Sequence, residues 1–215
     1  MNVGVLVSGS GTNLQALIDR ARRGDLGPAR IAVVGSNVPD CPALARARAA
    51  GLPTFVVDHR DYSARAGFDR ALMTGLRAQQ TDLVVLAGFM RVLGAPFIGR
   101  YAGRMINIHP SLLPAYPGLH THRRALADGV RVHGCTVHFV TPEVDVGPIV
   151  AQGAVPVRED DDETTLAARV LAVEHILLPR VVRWYCEGRL VVEGRRVHVR
   201  GLDTPAGGRM VSPGE

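Results

Sequence analysis

The sequence contains no lysine, since all 25 of its basic residues are arginine. This absence excludes a lysine Schiff base, a lysine nucleophile and the phosphate-binding lysine of a P-loop. Aromatic residues make up only 5% of the chain and the arginines are dispersed, whereas nucleic-acid-binding surfaces usually cluster such side chains. We therefore expect no nucleic-acid partner. The net charge of +5 is better matched by an anionic small substrate.

Cysteines and long apolar runs are also scarce. The three cysteines are far apart and form no CxxC pair, so neither a disulfide framework nor a zinc site is expected. The longest apolar stretch, residues 83–90, is far too short to cross a bilayer. The first residues lack the basic segment that opens a signal peptide. These features predict a cytoplasmic protein with no metal and no membrane partner.

Short apolar segments alternate with helical patterns along the first half of the chain. Strand-like runs at 2–7, 31–34, 54–57 and 82–87 are separated by amphipathic or alanine-rich segments. Continuous apolar strands separated by helices predict a parallel sheet covered on both faces, which is a Rossmann-like, doubly wound α/β fold. Ligands in such folds bind at the carboxyl ends of the strands.

The second half has a different pattern. Strand-like segments at 133–140 and 149–157 predict an antiparallel edge to the mostly parallel sheet. A helix is predicted from 119 to 128 and a long helix from 163 to 187, followed by a hairpin. We expect one domain over residues 1–202. A flexible tail is expected over 203–215, which is rich in glycine and proline.

The segment Ser8-Gly9-Ser10-Gly11-Thr12-Asn13 links the first strand to the first helix. Glycines let a backbone approach an anion closely, and a helix N-terminus presents free N–H groups, so this turn is a candidate phosphate cradle. A simple tight turn capped by Thr12 or Asn13 is the alternative. The segment is not a dinucleotide fingerprint, because Leu14 replaces the third glycine and Asn37 follows the second strand where an acid is expected.

An amide and an imidazole lie at the end of the predicted strand 105–109, which Pro110 terminates. Strand alternation places Asn107 and His109 on the same face. Such a pair can stabilise an oxyanion and handle a proton.

A carboxylate, Asp145, lies in a turn between two later strands. It is either an ordinary turn residue or a partner of His109 that would favour the imidazolium. His120 and His122 are not at the spacing of a helical metal-ligand pair.

Six motifs together carry a resemblance to a known family. They are SGSGTNLQA at 8–16, LAGFMR at 86–91, NIHPSLLP at 107–114, YPGLHTH at 116–122, VHFV at 137–140 and DVGP at 145–148. With these motifs, the chain resembles the phosphoribosylglycinamide formyltransferases, which are folate-dependent enzymes of purine synthesis. The resemblance implies formyl transfer from 10-formyltetrahydrofolate, a co-substrate, to the amine of glycinamide ribonucleotide. It also implies small-molecule partners and a monomer or homodimer.

The resemblance assigns a role to each matching residue. It implies that His109 is the general acid, that Asn107 helps to hold the formyl oxyanion, and that Asp145 tunes His109. His138 is expected to contact these catalytic residues and not the substrate. The implied ribonucleotide contacts are Gly11, Thr12, Asn13 and Glu174, and the implied folate contacts are Arg65, Met90, Arg91, Val92, Leu93 and Asn107.

The chain departs from the family pattern at Val146, where many members have a second glycine. A larger residue there is expected to stiffen or shift the turn that carries Asp145. Two related enzyme classes are alternatives. Methionyl-tRNA formyltransferases normally carry a further C-terminal domain, and formyltetrahydrofolate hydrolases usually carry an N-terminal regulatory domain. We expect neither domain here, which disfavours both enzyme classes. A non-catalytic nucleotide-binding module is a third alternative, but it would not need Asn107, His109 and Asp145 to converge.

Overall fold

The computed structural model describes residues 1–202. The tail predicted over 203–215 lies outside these residues. Within residues 1–202 the chain forms nine strands: β1 (Asn2–Val7), β2 (Arg30–Ser36), β3 (Thr54–Val56), β4 (Leu83–Leu86), β5 (Met105–His109), β6 (Val132–Phe139), β7 (Ile149–Pro156), β8 (Leu190–Glu193) and β9 (Arg196–Val199). The α-helices of that part of the chain are α1 (Thr12–Arg22), α2 (Pro42–Ala49), α3 (Arg65–Ala78), α4 (Ala95–Arg100), α5 (Thr121–Ala127) and α6 (Glu163–Cys186).

All these strands belong to one sheet in the order β3-β2-β1-β4-β5-β6-β7-β9-β8. The first five are mutually parallel, and β6 and β7 continue the sheet in antiparallel pairs. The hairpin β8–β9 forms the outer edge and meets β7 through a single parallel pair, Ile149 with Arg196. The predicted mostly parallel sheet with an antiparallel edge is confirmed.

Helices cover both faces of the sheet. Alternate residues of a strand point to opposite faces, so Val5 of β1 packs into one hydrophobic cluster and Leu6 into the other. The first cluster includes buried residues of α1, α2 and α6, and the second includes residues of α3 and α4. This two-sided burial explains why the parallel strands are almost continuously apolar.

Two helices differ from the sequence-based expectation. The helix α4 is only six residues long and was not predicted. The helix predicted over 119–128 begins later, at Thr121, because His120 has a left-handed backbone with φ of 56°.

The acidic run before α6 caps that helix. Asp162 accepts a hydrogen bond from the Thr165 backbone N–H at 2.8 Å, and the Thr165 hydroxyl accepts one from the Asp162 N–H at 3.0 Å. This reciprocal capping box satisfies N–H groups of the first turn, and the acidic side chains complement the helix dipole. Among the described residues no helix has the length and hydropathy needed to cross a bilayer.

The strand order changes direction between β1 and β4, which are neighbours in the sheet. The chain leaves β1 towards β2 on one side and leaves β4 towards β5 on the other. The connections that follow β1 and β4 therefore run to opposite sides, and open α/β sheets bind ligands at the carboxyl ends of the strands beside such a reversal.

Candidate active site

A cavity of about 520 Å³ opens at the carboxyl ends of β4 and β5, beside this reversal of strand order. It is formed by the ends of β4, β5 and β6, by the loops that follow β4 and β6, and by the segment before α5. Its lining includes Asn107, His109, His138, Asp145 and the segment 88–93. The predicted catalytic residues and most of the predicted folate segment therefore share one cavity.

Asn107 is oriented by His138, its direct cross-strand neighbour on β6. His138 Nδ1 lies 2.9 Å from the carbonyl oxygen of Phe139, and because a carbonyl only accepts, Nδ1 carries the proton. Nε2 of the neutral ring is then an acceptor for the Asn107 amide, whose Nδ2 lies 3.2 Å away. Burial lowers the pKa of His138, which keeps the ring neutral. The second amide hydrogen of Asn107 stays available to a ligand.

His109 is buried at the end of β5, and both of its ring nitrogens face acceptors. Nε2 lies 2.9 Å from the carbonyl oxygen of Tyr116, so Nε2 donates. Nδ1 lies 3.5 Å from Oδ2 of Asp145. A doubly protonated ring would therefore donate to both partners, with the negative charge of Asp145 beside it.

Asp145 lies between the two histidines. Its Oδ1 is 3.7 Å from His138 Nε2, and its Oδ2 also accepts the Gly118 backbone N–H at 2.8 Å. Val146 does not prevent these contacts. Its side chain lies at the surface, whereas the following Gly147 has no room for a Cβ, which would collide with the carbonyl oxygen of Phe139.

The predicted phosphate cradle is a separate group of residues at the start of α1. Gly11 is the N-cap, with a left-handed φ of 72°, and a Cβ there would lie 2.5 Å from Cβ of Ala43. A glycine is therefore required, and no side chain caps this helix. The alternative of a turn capped by Thr12 or Asn13 is wrong, which leaves the first N–H groups of α1 without a side-chain partner.

Asn13 and Glu174 meet beside this cradle. Asn13 Nδ2 donates to Glu174 Oε2 at 2.7 Å, and both side chains are buried. Burial raises the pKa of Glu174, and the hydrogen bond from Asn13 opposes that shift. The structure thus brings Gly11, Thr12, Asn13 and Glu174 together, outside the lining of the 520 Å³ cavity.

The predicted folate residues divide into two sets. Met90, Arg91, Val92 and Leu93 line the cavity, and Met90 and Val92 present exposed apolar side chains to it. Arg65 does not line it. This arginine begins α3, where its charge acts on the buried carboxyl of Asp69.

Sequence reasoning missed a histidine pair next to the cavity. His133 Nε2 lies 3.2 Å from Nδ1 of His122, which lines the cavity. Burial, with a smaller contribution from the nearby His122, lowers the pKa of His133 to about 4. No spacing could reveal this pair, because it joins α5 to β6 through space. Within residues 1–202 no three His, Cys, Asp or Glu side chains form a group able to hold a metal.

Comparison with known proteins decides which family has this arrangement. The family described as "Formyl transferase" matches residues 1–182. The chain belongs to the formyl transferase family. The resemblance inferred from the motifs is confirmed, and this formyl transferase is an enzyme.

Relatives of this formyl transferase share most of its length. It is 45% identical over 208 residues to the phosphoribosylglycinamide formyltransferase of Escherichia coli, covering 97% of this chain and 98% of the relative. The glycinamide ribonucleotide transformylase 1 structure from Symbiobacterium toebii is 52% identical with a TM-score of 0.90, and 93% of each chain is covered. A formyltetrahydrofolate deformylase structure from Pseudomonas syringae is 29% identical with a TM-score of 0.85, covering 92% of this chain and 65% of that one.

Proposed function

We propose that this enzyme transfers the formyl group of 10-formyltetrahydrofolate to the amine of 5′-phosphoribosylglycinamide in purine biosynthesis. The products are formylglycinamide ribonucleotide and tetrahydrofolate. The observation that carries the proposal is the convergence of Asn107, His109 and Asp145 in a cavity lined by the segment Met90–Leu93. Nearly full-length similarity to phosphoribosylglycinamide formyltransferases supports the choice of acceptor.

The reaction requires stabilisation of charge on the formyl oxygen. The substrate amine forms a bond to the formyl carbon, the bond from that carbon to folate N10 breaks, the amine loses a proton and N10 gains one. The free amide N–H of Asn107 can donate to the oxygen while it is negative. The Nε2–H of His109 can also donate to it when this oxygen replaces the Tyr116 carbonyl as its acceptor, while Nδ1 keeps Asp145. Asp145 stabilises the protonated ring of His109 through its nearby carboxylate.

The two substrates are held by different elements. The phosphate binds the free N–H groups of Gly11, Thr12 and Asn13 at the start of α1, and Glu174 accepts a sugar hydroxyl. The folate ring system packs against Met90–Leu93. Since Arg65 lies outside the cavity lining, a contact with Arg65 would be made by a part of the folate that extends beyond the cavity.

We place the enzyme in the cytoplasm, with small molecules as its partners, no metal requirement and a monomer or homodimer as its form. Its three cysteines are buried and unpaired, which suits a reducing compartment. One domain over residues 1–202 is supported by the single sheet that joins all the described strands.

The test follows the absorbance of 10-formyltetrahydrofolate with purified enzyme, with and without glycinamide ribonucleotide. We expect folate turnover only when the ribonucleotide is present, together with stoichiometric formylated product. Turnover without the acceptor would identify a hydrolase instead. No turnover in either case would favour a binding protein.

A further inference from the structure

The Ser8 hydroxyl joins the loop after β1 to the loop after β4. Its oxygen accepts the Met90 backbone N–H at 2.8 Å, and the Ser8 backbone N–H donates to the carbonyl oxygen of Gly88 at 3.1 Å. The hydroxyl hydrogen is donated to Oδ1 of Asn37 at 2.5 Å. One side chain thus holds the start of the Met90–Leu93 segment.

Asn37 fixes the orientation of that hydroxyl. It is only 2% exposed, it follows β2, and its amide nitrogen also lies 3.2 Å from His59 Nδ1. A hydroxyl has one hydrogen, so its donation to Asn37 leaves the oxygen lone pairs directed at Met90. This is the position where dinucleotide-binding folds carry an acidic ribose ligand, and here an asparagine supports the neighbouring loop instead.

The Met90–Leu93 segment has little packing of its own at the point where Ser8 holds it. Met90 is 64% exposed and Val92 is 53% exposed. Their apolar side chains therefore make few packing contacts that could fix the position of the backbone. At the far end of the segment Leu93 is buried in the core, and the N–H of the next residue, Gly94, donates to Asp69 at 2.8 Å. At Met90 the hydrogen bonds made by Ser8 hold the backbone.

We propose that Ser8, oriented by Asn37, is a positioning residue for the folate co-substrate. It sets the Met90 backbone so that the exposed apolar side chains form a ready binding surface, which lowers the cost of ordering the loop on binding. Ser8 does not line the cavity, so it acts on the folate through the Met90 backbone. The inference rests on the proposed function, because that function assigns the folate to this segment.

The experiment measures Kd for 10-formyltetrahydrofolate by calorimetry, and KM for each substrate, in a small set of variants. Losing one hydrogen bond predicts that Ser8→Ala weakens folate binding by about three- to tenfold. Ribonucleotide binding and kcat are expected to stay within about twofold of the wild-type values. Ser8→Thr keeps the hydroxyl and is expected to restore folate binding.

Asn37→Ala is expected to act through the same hydroxyl. The double variant Ser8→Ala/Asn37→Ala should therefore bind folate no more weakly than Ser8→Ala alone, a non-additivity that a general loss of stability would not produce. Ser63→Ala is the matched control, since Ser63 is exposed and makes no side-chain hydrogen bond within residues 1–202. Amide exchange at Met90 should be faster in Ser8→Ala and unchanged in Ser63→Ala.

Two results would overturn the inference alone: wild-type folate affinity in Ser8→Ala, or equal losses for both substrates with no rescue by threonine. A wild-type enzyme that binds no formyl folate would instead overturn the proposed function and this inference together. The wild-type titration therefore separates the two failures.

Discussion

Asn13 Nδ2 lies 2.7 Å from Glu174 Oε2, which joins the first turn of α1 to the middle of α6 across 161 residues of sequence. The family resemblance implies that both residues contact the ribonucleotide, and the fold joins them in one hydrogen bond. A buried carboxylate at the side of a helix N-terminus can accept from a ligand hydroxyl, while the N–H groups of the helix hold an anion.

The first prediction concerns this pair. Asn13→Ala leaves the buried carboxylate of Glu174 without its donor, so we expect a loss of about 1–3 kcal/mol in the free energy of unfolding. We also expect a higher KM for the ribonucleotide and an unchanged KM for the folate. Glu174→Gln keeps an oxygen for Asn13 and should retain most of the stability. An unchanged ribonucleotide KM in Asn13→Ala would count against this placement of the phosphate.

The second prediction concerns the carboxylate beside His109. Asp145→Asn preserves the shape of the side chain and removes its negative charge, so His109 loses the group that stabilises its protonated ring. We expect kcat to fall by about 10²- to 10⁴-fold, the usual size of a general acid–base contribution, with an unchanged melting temperature. Wild-type kcat across the pH range would show that Asp145 is only a turn residue.

The third prediction concerns the amide of Asn107. Asn107→Asp keeps the size of the side chain but replaces its N–H donors with acceptor oxygens. Loss of one oxyanion donor predicts a fall in kcat of about 10²- to 10³-fold, and steady-state kinetics with both substrates saturating measures it directly. Because the donor acts on charge that develops during the reaction, ribonucleotide affinity should change little. A larger change in ribonucleotide affinity than in kcat would contradict the oxyanion role.

The fourth prediction concerns pH and the buried His133, whose pKa is about 4. The unfolded ring has a pKa near 6.5, so between pH 6.5 and 4 the unfolded state binds a proton that the folded state does not. Stability therefore falls as pH falls through this range, by roughly 2–3 kcal/mol from His133. Chemical denaturation at several pH values measures the slope.

His133→Gln should flatten that slope between pH 4 and 6.5. His198→Gln is the matched control, because His198 lies exposed on β9 and its loss should leave the slope unchanged. If His133→Gln kept the full wild-type slope, the other histidines would account for the acid sensitivity.

The sequence was most informative where structure is local. Strand alternation predicts that Asn107 and His109 share a face, and both line the cavity. The glycines of the first loop predict an approach to an anion, and the structure adds a separate reason for Gly11, whose Cβ would collide with Ala43. The short helix α4 was missed because six residues give too little periodicity. The pair His122–His133 was missed because its two members come from separate elements that meet only in three dimensions.

The separation of Arg65 from the cavity was also unpredictable, since its assignment came from resemblance and not from a local pattern. The same holds for Ser8, whose sequence position identifies a turn but not its partner on the neighbouring strand's loop. The order of the strands in the sheet determines which loops are neighbours. The sequence motifs do not indicate the order β2-β1-β4-β5.

Turnover of His109→Ala with both substrates saturating, alongside the Kd of each substrate, tests whether His109 carries the reaction. We expect the variant to fold normally, to bind the folate and the ribonucleotide within about threefold of wild type, and to lose at least about 100-fold in kcat. Wild-type kcat in this variant would contradict the assignment of the reaction to His109 and the cavity around it.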